Sequence, residues 1–166
     1  MAPASSAHNE ALAAFPDAVA LWYVDQIAAA DVVLAACDLL ASGVDGSAVR
    51  ELAAVELARA DIEVHAILEA VLDELGLPNH PRGSEAAQRI AFSAMAARVL
   101  SSSITPRDFA AWAHEQFGHE SFDEADDLAN MQDRYEYNEH TGEPCDDLDA
   151  EVIALARQVT HSRQSS

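Results

Sequence analysis

The 166-residue chain has no lysine, only two cysteines, six glycines, six prolines and 6% aromatic residues. Each scarcity excludes something. Cys37 and Cys145 cannot build a disulfide framework, and two free thiols fit a cytoplasmic protein. Few aromatic and β-branched alternations argue against a β-sandwich. No glycine-rich phosphate loop, G-x-S-x-G elbow or dinucleotide fingerprint is present. The best apolar stretch, Leu21 to Ala41, carries Asp25, Gln26, Asp31 and Asp38 and is too polar to span a bilayer. Met1 to Glu10 holds neither a positive n-region nor an apolar h-region, so no signal peptide is expected.

Positive charge is equally scarce. Nine arginines face 29 acids, a formal charge of −20, and protonating all seven histidines would leave the chain strongly negative. A groove that neutralises nucleic-acid phosphates or an anionic membrane is therefore not expected.

What the chain has in excess is alanine: 35 residues within an apolar half. Alanine is the best helix former and lets helix axes approach closely, so an all-α fold is expected, with no sheet. The Ala/Arg bias also fits the codon usage of a GC-rich bacterial genome. Periodicity and end signals place six or seven helices, at about 17–42, 47–59, 61–75, 84–100, 106–117, 121–138 and 147–160, in an irregular bundle. Pro16 with Asp17 offers the first start and Gly43 its stop. Thr105-Pro106-Arg107-Asp108 places a cap, a proline at the first helical position and an acid at the third, and Gly118 should end that helix. Ser121-Phe122-Asp123-Glu124 reads as a capping box. Leu77 to Gly83, with two prolines and a glycine, is the strongest punctuation, yet too short to separate independent domains. The expected organisation is a flexible tail over 1–15, a single helical domain over 16–160 and a flexible tail over 161–166.

The acidity is segmental. Between Glu120 and Glu151 thirteen acids face Arg134 alone, a net −12, while residues 84–119 are neutral. First-turn acids stabilise a helix dipole by about 0.3–1 kcal/mol each, which accounts for part of the cluster. The remainder points to a surface for a basic protein, built from Asp123, Glu124, Asp126, Asp127, Asp133, Glu136, Glu139, Asp146, Asp147 and Asp149. Met131, Tyr135 and Tyr137 lie among them and are residue types enriched at interface centres. In kind, the chain resembles small acidic helical proteins that neutralise basic toxins. The function expected is therefore non-enzymatic: an immunity, antitoxin or inhibitor-type binder acting through 120–151, without cofactor.

Two constellations offer the alternative, a small metal-binding protein or enzyme. Asp61, His65 and Glu69 fall at i, i+4 and i+8 on one helical face, as any amphipathic helix also shows. His114-Glu115-Gln116-Phe117-Gly118-His119-Glu120 resembles a zinc-protease helix, but its histidines are five apart, with Gly118 between them. Two histidines four apart are needed to face one ion from a single helix, so no metal site is expected there. Asp147-x-Asp149-x-Glu151 lacks the glycine and terminal glutamate of a calcium loop. Cys37 is mid-helix among leucines, and acids around Cys145 oppose its thiolate, so no catalytic residue is assigned. A homo-oligomer joined through Phe109, Trp112 and Phe117 is a further reading.

Overall fold

The computed structural model describes the backbone of residues 3–164; residues 1, 2, 165 and 166, the extremities of the two expected tails, lie outside the described residues. The described residues are all helical in their regular structure, without a strand: α1 (Pro3–Tyr23), α2 (Ala29–Ala41), α3 (Ser47–Ala53), a 3-10 turn (Leu57–Arg59), α4 (Ala60–Leu75), α5 (Glu85–Leu100), α6 (Pro106–Phe117), α7 (Asp123–Thr141) and α8 (Asp146–Gln164). Eight α-helices thus replace the expected six or seven. Among the described residues no helix is long and apolar enough to cross a membrane.

The largest departure is at the start. In place of a loose stretch up to residue 15 and one helix over 17–42, the chain forms α1 and α2 with a break between them. Phe15 is fully buried and Leu12 packs beside the core, so burial carries the helix through Pro16, which then sits inside α1 instead of opening a helix. No glycine or proline marks the break at 24–28. Asp25 takes the left-handed conformation (φ 55°), and the Gln26 N–H donates back to the Leu21 carbonyl at 2.9 Å. Arg82, from the proline-rich loop, donates to the Tyr23 carbonyl at 3.0 Å and pairs with Asp25 at 2.7 Å. A cation distant in sequence thereby satisfies the end of α1 and holds the break. The expected 47–59 helix likewise divides into α3 and the 3-10 turn.

The contacts group the chain into two compact units that divide between Ala91 and Phe92, inside α5 and not at the proline-rich loop. In the first unit, α1 packs on α2, α2 on α3 and α4, and α3 on α4. Its core is formed by Phe15, Trp22, Val32, Val33, Leu39, Val49, Leu52, Val64 and Val71. Glu74, in the last turn of α4, caps α3: its Oε2 accepts from the Ala48 and Val49 N–H groups, each at 3.0 Å, and its Oε1 accepts from the Ser47 hydroxyl at 3.0 Å. A Cβ at Gly46 would overlap that carboxylate, so a side chain there would push Glu74 out of its capping position. These bonds, the Val49 N–H first, hold the Glu74 carboxyl below its ordinary range.

In the second unit α6 packs along α7, and α8 packs on both. Phe92, Phe109, Trp112, Phe117 and Phe122 form one aromatic cluster, with ring centroids 5.1 Å apart for Phe92–Phe109 and 5.2 Å for Phe92–Phe122. Such pairs contribute about 0.5–1.5 kcal/mol each beyond their area. Phe109 is fully buried and Trp112 and Phe117 half-buried, so the three rings suggested as an oligomer contact serve this core. Leu128, Tyr135, Leu148 and Val152 complete it from α7 and α8. α6 begins as its sequence signals: Thr105 Oγ1 accepts from the Asp108 N–H at 3.0 Å, and Asp108 Oδ2 accepts from the Thr105 N–H at 3.3 Å. α7 does not start at Ser121. Burial of the Phe122 ring makes Phe122 the capping residue, without a side-chain cap, and the helix opens at Asp123.

Candidate functional site

The acids of 120–151 all belong to the second unit. On α7 the inward residues are Ala125, Leu128, Ala129, Gln132 and Tyr135, and on α8 Leu148 and Val152 face the core. Helical periodicity then turns most of the acids outward. Their roles divide. Asp149 is half-buried and accepts the Tyr135 hydroxyl at 2.6 Å. Burial, followed by this bond to a carboxylate, pushes the Tyr135 phenol well above its ordinary value. Arg107 pairs with Glu139 and stands over the Tyr135 ring, its guanidinium carbon 5.6 Å from the ring centroid. Gln132 donates to Glu136 at 3.0 Å, and Asp126 accepts from the Glu120 N–H at 3.1 Å. Arg134 makes a two-pronged contact with Glu151 at 2.6 and 3.0 Å, which keeps the Glu151 carboxyl below its ordinary range.

Asp126, Glu136, Glu139 and Asp149 are therefore engaged within the fold. Asp123, Asp127, Asp133, Asp146 and Asp147 are exposed, and among the described residues no arginine pairs with any of them. Glu124 is half-buried in the first turn of α7. Tyr137 stands among these acids with 63% of its surface exposed.

The histidines deviate most from the spacing argument. Gly118 ends α6 with φ 62°, and Glu120 is left-handed at φ 69°, so the chain turns back on itself between the two helices. The turn brings the His119 ring to 5.1 Å from that of His114. His119 Nε2 lies 3.4 Å from Asp133 Oδ2 and its Nδ1 lies 3.7 Å from Asp126 Oδ1, both carboxylates on α7. Ligand atoms of His114, His119 and Asp133 fall within 4.8 Å of one another. The five-residue spacing and Gly118 exclude the single-helix motif, yet the second histidine reaches the first through a reversal.

Asp61, His65 and Glu69 are all exposed on α4 and do not converge as a ligand set; His65 instead packs on Trp22 with ring centroids 4.4 Å apart. Cys37 is half-buried, its thiol 3.7 Å from the Ala53 carbonyl, and Cys145 is half-buried just before α8. Neither is paired with a base that would activate it among the described residues.

No protein-family model, curated protein or solved structure shows significant similarity to the chain.

Proposed function

We propose that this is a non-enzymatic interaction protein that binds a basic protein partner through the outward face of α7 and the first turn of α8, in the manner of an immunity protein, antitoxin or inhibitor. The observation that carries the reading is the coexistence of exposed, arginine-free acids with an exposed tyrosine on one helical hairpin. Asp123, Asp127, Asp133, Asp146 and Asp147 supply charge, and Tyr137 supplies a rigid apolar contact with a polar tip. Dipole stabilisation accounts for Asp123, Asp146 and Asp147, which lie in first turns, but not for Asp127, Asp133, Glu136 and Glu139, which lie further along α7. Acids of one sign held on a packed scaffold focus the field, steer a cationic surface and reject anionic ones.

The test compares three immobilised proteins in native lysate of the source cells: the wild type, a fourfold Asp123→Asn, Asp127→Asn, Asp146→Asn, Asp147→Asn variant, and a variant with the same charge change in the first unit (Glu51→Gln, Glu56→Gln, Asp61→Asn, Glu69→Gln). The expected result is a basic protein held by the wild type and the first-unit variant and lost from the fourfold α7–α8 variant. Equal capture by all three, or capture of no basic protein, overturns the reading.

A further inference from the structure

We propose that His114, His119 and Asp133 form a binding site for one divalent transition-metal ion of the zinc class. The site shares Asp133 with the acidic docking surface, but it rests on the two histidines and stands whether or not that surface binds a partner. His114 stands in the last turn of α6, His119 in the reversal that follows, and Asp133 in the middle of α7, so three separate backbone segments deliver one donor each.

The distances suit a tetrahedral ion. Two donors each about 2.0–2.2 Å from zinc stand roughly 3.3–3.6 Å apart. His119 Nε2 and Asp133 Oδ2 are already 3.4 Å apart. The His114 donor lies within 4.8 Å of the other two, a gap closed by side-chain rotation inside a rotamer well. Two imidazoles and one carboxylate are a borderline donor set that selects Zn2+, Co2+, Ni2+ or Cu2+ over Mg2+ and Ca2+, which take oxygen ligands. Three protein donors leave a fourth position for water, and the exposure of His119 and Asp133 gives that position access to solvent.

A second feature is the use of both His119 nitrogens. With Nε2 directed toward Asp133, Nδ1 faces Asp126 at 3.7 Å. A carboxylate behind the non-ligating nitrogen fixes ring orientation and raises ligand basicity in metal sites. Asp126 is itself held by the Glu120 N–H, inside the same reversal. Contact with the two carboxylates accounts for His119 alone, whereas a cation shared by His114, His119 and Asp133 also accounts for the His114 ring 5.1 Å away. The surrounding negative segment favours a dication.

The experiment uses the full chain without a histidine tag, stripped with chelator, then titrated with Zn2+ by calorimetry and with Co2+ by visible absorption. One equivalent binds, with tetrahedral cobalt bands. His114→Ala, His119→Ala and Asp133→Asn each weaken binding at least tenfold, Asp126→Asn weakens it about tenfold, and Glu115→Gln, beside His114 but exposed, leaves it unchanged. Absence of one-equivalent binding, or equal binding in the ligand variants, overturns the proposal. Should a variant fail to fold, histidine-ring NMR of the wild type decides: Zn2+ shifts the His114 and His119 rings selectively, whereas uniform shifts across all histidines, or selective shifts elsewhere, refute the site.

Discussion

Tyr135 links the two acidic helices, and its removal gives a prediction whose sign depends on pH. The ring is 1% exposed, and its hydroxyl donates to Asp149 at 2.6 Å, a short bond to a charged acceptor. Tyr135→Phe keeps the ring and deletes the donor. Hydrogen bonds to charged groups contribute about 1.5–3 kcal/mol, but Asp149 is half-buried and regains water, so the expected loss at neutral pH is about 1–2 kcal/mol. For a chain of this size that is a fall of roughly 2–8 °C in melting temperature. The pH dependence follows from the raised phenol. A group whose folded pKa lies above its unfolded value of 10.0 contributes stability that is complete below pH 10 and is lost as pH rises through the folded value. The limiting slope for one proton is about 1.4 kcal/mol per pH unit. Urea unfolding reports it cleanly in a Trp22→Phe background, because Trp112, in the second unit, is then the sole tryptophan. The wild type should lose stability above pH 10 faster than Tyr135→Phe, so the two curves converge. Parallel curves, or a variant as stable as the wild type at neutral pH, would refute the assigned role of this bond.

Two further perturbations test the local accounts. Thr105→Ala removes the cap of α6, and should destabilise the second unit by about 1 kcal/mol in the same urea assay; no change would show that Asp108 and Pro106 suffice. Glu74 has a folded pKa lowered by the α3 N–H groups, so its contribution is present above the unfolded carboxylate value and is lost as pH falls through the folded one. Followed by Trp22 fluorescence in a Trp112→Phe background, acid unfolding of the first unit should lose this component in Glu74→Gln, and an unchanged acid limb would contradict the assignment.

How much of this was legible depended on whether a signal was local. Thr105, Pro106, Asp108 and Gly118 lie beside the helix they delimit, and 106–117 is the helix observed. The left-handed Asp25 has no such sign, since the group that secures the break, Arg82, arrives from another segment. Pro16 misleads for a related reason: as a start signal it is strong, but burial of Phe15 and Leu12 outweighs a single missing N–H. The acidic segment is visible from composition, yet composition cannot separate Asp149, tied to Tyr135, from Asp127, which faces water. The histidine cluster escapes the spacing argument, which tests only a motif carried on a single helix. Gly118 is legible as a stop, but its further consequence, a reversal that brings His119 beside His114 and opposite Asp133, appears only with α7 in place.

In the proposed function, charge on the α7–α8 hairpin drives association with a basic protein. Its most direct test is the association rate of the captured partner across ionic strength, measured by stopped flow with the wild type and the fourfold Asp→Asn variant. The wild-type rate should fall at least tenfold from low to high salt while dissociation changes little, and the variant rate should be slower and much less salt-dependent. A wild-type rate indifferent to salt, or a variant that keeps the full salt dependence, would contradict it.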